Sequence, residues 1–305
     1  MSKLDMSVNL AGVLLKNPIV VASGTFGFGR EYGAFYDIAG LGGICCKGLT
    51  PERREGNPPP RIAETPLGML NSVGLQNPGV DAFIAHELPE LKKHDLRVIA
   101  NISGPSPEAY GEMCAKLSAA GVDMIEVNIS CPNVKAGGLA YGTRPDLAAE
   151  VTAQAKRHAA VPVMVKLSPN VTDIAEIARA VEGAGADAIS LINTIRGMRI
   201  DVATRRPILK MNTGGLSGPA VFPVALRMVW EVACAVKLPI LGMGGVSSGS
   251  DAAEMMLAGA TAVAVGAACF EDPYAPIKIR DSLAELAKKQ GCTRISDLIG
   301  GVKPW

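Results

Sequence analysis

The sequence lacks a charge imbalance and has no hydrophobic run of membrane-spanning length. Lysine and arginine total 30 and aspartate and glutamate total 29, so the chain has no excess of positive charge with which to cover a nucleic acid. A helix that spans a bilayer needs about 20 apolar residues in succession. The apolar runs here are shorter and end in glycine, asparagine or lysine. We therefore expect neither nucleic acid nor membrane as a partner.

The sequence also lacks the cysteine pairs that mark a disulfide framework or a metal site. It contains 7 cysteines, an odd number, and no two of them have CxxC spacing. Residues Met1–Asp5 have neither the basic start nor the apolar core of a signal peptide. This pattern is typical of a reducing compartment, and we predict a cytoplasmic protein with no bound metal.

Short apolar runs alternate with helical patterns along the chain, an arrangement typical of parallel βα units. The predicted strands are Ile19–Ser23, Gly43–Lys47, Val98–Ile102, Met124–Asn128, Val163–Leu167, Ala188–Asn193, Ile240–Met243 and Ala262–Gly266. Eight strands close a barrel. The predicted fold is therefore α/β, a (β/α)8 TIM barrel with long loops over its C-terminal mouth. A small N-terminal hairpin is predicted over Ser7–Asn17, and no linker divides residues 1–305, which we predict to form one domain.

Polar residues stand where most of these strands end, which is where the active sites of such barrels form. The strand-end residues are Ser23, Lys47, Asn101, Asn128, Lys166, Asn193, the pair Gly244-Gly245, and Gly266. One asparagine alone would be explained by a loop cap. Two lysines and three asparagines at one mouth predict a binding site.

Glycine-rich segments close the last two strands, Leu241–Ser248 the seventh and Val265–Ala268 the eighth. In barrels these segments often bind phosphate through backbone N–H groups, although glycine also suits a tight turn alone. The segment Thr213–Gly218 offers a further contact on the phosphate side. Asp251 and Glu254 have capping-box spacing and predict the start of the next helix at Asp251.

Two residues at the mouth are candidates for chemistry. Lys166 in an apolar strand is suited either to a Schiff base or to stabilising an anion such as a reduced flavin. Cys131 follows the fourth strand, where Pro132 ends the strand, and its thiolate is suited to act as a nucleophile or a general base. Since no histidine is evidently placed beside Cys131, the sequence favours the base.

The motifs together resemble dihydroorotate dehydrogenases of class 1, from about Val8 to the end of the barrel. The resemblance rests on Asn71–Asn77, Asn128–Asn133, Val165–Asn170, Ile192–Thr194 and Gly242–Gly245. The segments Gly24–Glu31, Gly56–Pro58 and Asn128–Lys135 are most similar to the class 1B, NAD+-linked catalytic subunit.

The resemblance implies an FMN-dependent oxidation of dihydroorotate to orotate in pyrimidine (UMP) biosynthesis, with one FMN per chain and Cys131 as the base. The residues that it implies for substrate binding are Lys47, Asn71, Ser72, Val73, Gly74, Leu75, Asn128, Asn193 and Thr194. The residues that it implies for FMN binding are Ser23, Lys47, Gly48, Asn101, Asn128, Lys166, Ile192, Gly218, Gly244, Gly245, Gly266 and Ala267. Lys166 is then the cation beside the reduced flavin. Two departures from the family pattern are Ala267, where threonine is common, and the pair Cys45-Cys46, which we interpret as packing.

Class 1B also implies a homodimer that associates with a subunit carrying FAD and a [2Fe-2S] cluster. Alternatives are a fumarate-linked class 1A homodimer, a dihydropyrimidine dehydrogenase-like enzyme, a Schiff-base lyase using Lys166, and a non-catalytic binding barrel. Lys47 weighs against a neutral pyrimidine substrate, which has no carboxylate. The glycine-containing loop Val134–Thr143 is suited to move as a lid.

Overall fold

A closed barrel of eight parallel strands forms the centre of the computed structural model, which describes residues 4–130 and 138–305. The strands are β1 (Ile19–Val21), β2 (Gly43–Cys45), β3 (Arg97–Ile102), β4 (Met124–Asn128), β5 (Val163–Lys166), β6 (Ala188–Leu191), β7 (Ile240–Met243) and β8 (Ala262–Val265). They neighbour one another in chain order, and β8 pairs with β1. This confirms the predicted TIM barrel.

Helices connect the strands and surround the barrel. The α-helices are Arg30–Gly33, Val80–Ala82, Leu88–Leu91, Pro107–Ala120, Gly138–Thr143, Pro145–His158, Ile174–Gly183, Phe222–Ala235, Gly249–Leu257, Ala268–Glu271 and Ala275–Lys289. Three 3-10 helices cover Ile38–Gly40, Pro219–Val221 and Ile295–Leu298, and a π-helix covers Phe83–Glu87. Among the described residues, none of these helices is long and apolar enough to cross a membrane.

Local sequence signals explain where the helices begin and which face they bury. Ser106 caps the helix Pro107–Ala120, because its hydroxyl accepts the N–H of Ala109 at 3.4 Å and Pro107 occupies the first turn, where its missing N–H costs nothing. The helix Ile174–Gly183 buries Ile174, Ile177, Ala178 and Val181, which lie on one face at the helical period. That apolar face fixes the helix against the barrel.

The barrel strands are buried on both faces and are therefore almost entirely apolar, as expected of a parallel sheet covered by helices. Five buried polar side chains interrupt this core on the neighbouring strands β3 to β6, and one of them is Asn128 at the carboxyl end of β4. The other four are grouped around the carboxylate of Glu126. They are Asn101, Glu126, Lys166 and Ser190, and none is more than 4% exposed. Buried polar groups need partners, and these four lie close enough to one another to supply them.

Additional strands lie outside the barrel. Ile62–Thr65, Gly68–Asn71, Gly214–Ser217 and Ile195–Gly197 form a four-stranded antiparallel sheet, which brings residues from two connections between barrel strands side by side. The short pair Ile200–Asp201 and Arg206–Pro207 forms a hairpin. The N-terminal hairpin is confirmed as Val8–Leu10 paired with Val13–Leu15.

The prediction that Asp251 caps the start of this helix is wrong by three residues. The helix is Gly249–Leu257 and its N-cap is Ser248, whose hydroxyl accepts the N–H of Asp251 at 3.1 Å. The carboxylate of Asp251 accepts the N–H of Ser248 at 3.0 Å in return. Serine and aspartate at this spacing satisfy two N–H groups reciprocally, so the capping box begins at Ser248 and does not involve Glu254.

We expect Ser248→Ala to lower the free energy of unfolding by about 1 kcal/mol, because one N–H at the helix start loses its acceptor. Urea unfolding followed by circular dichroism measures the loss. Ser248→Asp, which keeps an acceptor at the same place, should retain most of the stability. Equal losses in the two variants would show that the cap is not what stabilises this helix.

Candidate active site

A cavity of about 280 Å³ opens at the carboxyl ends of the barrel strands. The barrel contributes the residues that end or follow its strands, and the antiparallel sheet contributes Ile62, Met69, Asn71, Leu216 and Ser217. Pockets of this kind, mostly apolar with a few convergent polar groups, are the usual ligand sites of barrel enzymes.

The structure brings nearly all of the predicted site residues together in the lining of this cavity. They are Ser23, Lys47, Gly48, Asn71, Val73, Gly74, Leu75, Asn101, Asn128, Lys166, Ile192, Asn193, Thr194, Gly218, Gly244, Gly245, Gly266 and Ala267. Their shared position follows from parallel strands, whose carboxyl ends meet at one rim.

Two predicted residues are not placed in the cavity. Ser72 is fully buried outside the lining. Its N–H donates to the carbonyl of Arg61 at 2.8 Å, its own carbonyl accepts from the side chain of Asn57 at 2.9 Å, and its hydroxyl has no partner among the described residues. Cys131 lies outside the described residues.

Several lining residues were not predicted individually as site residues, although some of them lie in segments that the sequence analysis singled out. They are Ala22, Gly24, Thr25, Ile62, Met69, Leu216, Ser217, Val221, Met243 and Phe270. Most are small or apolar, and such side chains are indistinguishable from core residues in a sequence. They provide the apolar walls between which a flat ring can lie.

The turn after β7 requires glycine at two positions. Gly244 and Gly245 have φ angles of 129° and 76°, which L side chains rarely adopt. A Cβ on Gly245 would lie 2.7 Å from the carbonyl oxygen of Gly218. The N–H groups of Gly244 and Gly245 form no hydrogen bond with other described residues. The turn therefore presents bare N–H groups beside the cavity, which is the chemistry that holds an anion.

Lys166 supplies a buried positive charge at the cavity. Its side chain is 5% exposed, and its ammonium lies 3.4 Å from the hydroxyl of Ser23 and 3.9 Å from a carboxylate oxygen of Glu126. A buried ammonium beside a carboxylate forms an ion pair that fixes its position at the cavity. The arrangement therefore favours anion stabilisation over a Schiff base, which needs the neutral amine.

The carboxylate of Glu126 lies in the barrel interior and accepts hydrogen bonds from three side chains. Ser190 donates to one oxygen at 2.6 Å, and Cys45 donates to the other at 3.0 Å, where the amide of Asn101 also donates. Burial and, second, the charge of Glu126 hold the pKa of the Cys45 thiol well above its ordinary value. The thiol stays protonated and remains a donor, so Cys45 packs in the core as interpreted and in addition donates to Glu126.

The asparagines at the mouth hold the chain as well as facing the cavity. The Asn193 amide donates to the hydroxyl of Ser130 at 2.8 Å and to its carbonyl at 3.2 Å. The side-chain oxygen of Asn128 accepts the Ser130 N–H at 3.1 Å and its hydroxyl at 2.9 Å. An amide has two donors and two acceptor sites. Asn193 therefore keeps acceptor capacity for a ligand, while Asn128 keeps a donor.

Comparison with known proteins agrees with this geometry. The family model described as dihydroorotate dehydrogenase matches residues 5–287. A relative from Geobacillus kaustophilus is 56% identical over 296 residues, which cover 97% of this chain and 95% of the relative. A relative from Enterococcus faecalis is 52% identical over 305 residues, covering 99% and 98%. A relative from Geobacter sp. is 53% identical over 304 residues, covering 99% and 100%.

All three relatives bear the name dihydroorotate dehydrogenase B (NAD(+)), catalytic subunit. The match extends over nearly the whole chain and includes every strand of the barrel. The chain belongs to the dihydroorotate dehydrogenase family.

Proposed function

We propose that the chain is the catalytic subunit of an NAD+-linked dihydroorotate dehydrogenase, which oxidises (S)-dihydroorotate to orotate with FMN in pyrimidine (UMP) biosynthesis. The observation that carries the proposal is the convergence of Lys47, Lys166 and the Gly244-Gly245 turn on one cavity, in a chain that belongs to this family. An oxidation of this kind needs a cation near a flavin, a cation for the substrate carboxylate and an anion site for the phosphate.

The residues of the cavity fit FMN. The bare N–H groups of Gly244 and Gly245 suit the phosphate, and Gly218, Gly266 and Ala267 line the cavity beside them. The residues we propose for the rest of the cofactor are Ser23, Lys47, Gly48, Asn101, Asn128, Lys166 and Ile192. When bound, FMN supplies an acceptor for a hydride, a capacity that no amino-acid side chain has. Lys166 then stabilises negative charge that develops on the ring.

Lys47 and the asparagines are suited to dihydroorotate, which has one carboxylate and a ring of amide donors and acceptors. We assign the carboxylate to Lys47, because a charge-assisted hydrogen bond is stronger than a neutral one. Asn71, Asn128 and Asn193 with Thr194 are assigned to the amide groups, and the segment Val73–Leu75 to the side of the ring. Ser72 is kept in the proposal only as part of the backbone that positions Asn71 and Val73.

We assign the base to Cys131. In this step the Cys131 thiolate would remove the proton from C5 of dihydroorotate, and the C5–H electron pair would form the C5=C6 double bond of orotate as a hydride departs from C6. Bound FMN would supply the hydride acceptor. The hydrogen bonds from Asn193 to Ser130 and from Ser130 to Asn128 support the assignment, since they fix the end of the chain that leads to Cys131. No histidine lines the described part of the cavity, so a Cys–His nucleophile has no support.

Electrons pass from FMN to NAD+ through a partner in this proposal. The relatives are named as NAD(+)-linked catalytic subunits, which favours the class 1B form over the fumarate-linked form and supports a second subunit. We propose that the second subunit carries FAD and a [2Fe-2S] cluster and that two copies of this chain form a homodimer with it.

The compartment and the domain organisation belong to the same proposal. The described cysteines are all free thiols, which supports a reducing, cytoplasmic location. We treat residues 1–305 as one FMN-binding domain, and the continuous core of buried residues from Leu4 to Leu298 supports this.

We expect Cys131→Ser to bind FMN normally but to slow flavin reduction by dihydroorotate by about 10²-fold or more, the usual contribution of a general base. Anaerobic stopped-flow absorbance measures the rate. Cys234→Ser, which changes an exposed thiol, should reduce at the wild-type rate. Fast reduction in the Cys131 variant would rule out this thiol as the base.

We expect Lys47→Ala to weaken orotate binding by about 10- to 100-fold, the range that follows from losing a hydrogen bond to a charged group. The dissociation constant is read from the change of the flavin spectrum on titration with orotate. The same variant should lose its preference for dihydroorotate over dihydrouracil, whereas Lys237→Ala, an exposed lysine outside the cavity, should keep both. Undiminished orotate affinity would assign the carboxylate to another residue.

A further inference from the structure

Glu126 is the buried charged group that the proposed reaction does not use. It lies on β4, is 0% exposed and does not line the cavity. Its nearest polar neighbours are Ser190, Cys45 and Asn101, all placed as donors toward its two oxygens. An ionised carboxylate is a pure acceptor, so this set of donors suits the charged form of Glu126.

A buried carboxylate needs a counter-charge, and Lys166 provides it. The ammonium nitrogen of Lys166 lies 3.9 Å from an oxygen of Glu126, with the two side chains 5% and 0% exposed. In the described part of the chain, Lys166 is the one cation that forms an ion pair with Glu126. Because both groups are shielded from water, solvent and salt screen their interaction less than at the surface.

Glu126 also orients an amide that does line the cavity. The Nδ2 group of Asn101 donates to Glu126, and its oxygen accepts from Asn128 Nδ2 at 3.4 Å. The carboxylate thus determines which end of the Asn101 amide points down into the barrel. Through Lys166 and Asn101, Glu126 acts on the cavity without touching a ligand.

The charges of Glu126 and Lys166 determine whether the pair favours the oxidised or the reduced flavin. A cation beside the flavin favours the reduced ring, which is anionic, over the oxidised ring, which is neutral. A carboxylate paired with that cation offsets part of its field. The pair therefore holds reduced flavin less tightly than Lys166 alone would.

We propose that Glu126 is a positioning residue that limits the preference of the cofactor site for reduced FMN, by offsetting the charge of Lys166 and fixing the amide of Asn101. The inference rests on the proposed function, because it requires FMN in this cavity. A flavin that passes its electrons to a further acceptor must not be stabilised too strongly in its reduced form. The charge of Glu126 meets this requirement because it weakens the preference of the site for reduced FMN.

Glu126→Gln tests the proposal, because it removes the charge and can keep the hydrogen bonds. The glutamine oxygen still accepts from Cys45 and Asn101, and its NH2 group can donate to Ser190, whose hydroxyl both donates and accepts. We expect the affinity for reduced FMN relative to oxidised FMN to rise at least tenfold, which corresponds to about 30 mV in the two-electron potential. Spectroelectrochemical titration of the FMN-loaded full-length protein measures the potential, and fluorescence titration measures the affinity for oxidised FMN.

Cys45→Ser is the matched control. It alters a partner of the same carboxylate but keeps a donor and the charge, so the affinity ratio should stay within twofold of wild type. A purely structural role of Glu126 would instead weaken both forms of FMN equally in Glu126→Gln and leave the potential unchanged. An unchanged or lowered potential in that variant overturns the inference.

The double variant Glu126→Gln/Lys166→Met keeps the test decisive if Glu126→Gln does not fold, since it leaves no buried charge unpaired. We expect its affinity ratio for reduced over oxidised FMN to exceed that of Lys166→Met alone at least tenfold, because the double variant also lacks the negative charge of Glu126 near the ring. Equal ratios in the double variant and in Lys166→Met would overturn the inference. Wild-type protein that binds no FMN would overturn the proposed function as well, whereas FMN-loaded variants with unchanged potentials would overturn this inference alone.

Discussion

The closed barrel imposes the constraint on which the rest of the site depends: every polar group inside it must find its partner inside it. The eight strands leave no open sheet edge, and most of the side chains buried in the barrel are apolar. A charge there is tolerated only when it is paired and hydrogen-bonded. Glu126 and Lys166 satisfy this condition for each other, with Ser190, Cys45 and Asn101 taking the remaining lone pairs of the carboxylate. Lys166 can therefore lie buried at the cavity because it is paired with Glu126, which does not itself line the cavity.

The asparagines at the mouth of the barrel also divide their hydrogen bonds between the protein and the cavity. Asn128 and Asn193 each form two hydrogen bonds with Ser130, the last described residue before Cys131. Their remaining hydrogen-bonding capacity faces the cavity. A side chain with both tasks couples the position of Ser130 to the occupancy of the site.

The barrel and most of the site could be predicted from the sequence because each strand is a short apolar run with a polar or glycine end. Strand ends meet at one rim, so local patterns were enough to place Lys47, Asn101, Lys166 and Gly244 in one cavity. Glu126 was missed, although an acidic residue within the buried strand Met124–Asn128 is a usable signal. Its partners Cys45 and Ser190 are 81 and 64 residues away, and only the closed barrel brings them together. The antiparallel sheet was missed because its strands are only three or four residues long and three of the four contain glycine. The Asp251 prediction failed because two overlapping capping patterns compete at that turn.

The central claim is that this cavity binds FMN and transfers a hydride to it from dihydroorotate. Anaerobic titration of the purified chain with dihydroorotate tests this claim most directly, with flavin absorbance and orotate followed together. We expect a yellow protein whose flavin bleaches with the formation of one orotate per FMN. A colourless protein that borohydride traps covalently with its substrate through Lys166 would contradict the claim and indicate Schiff-base chemistry instead.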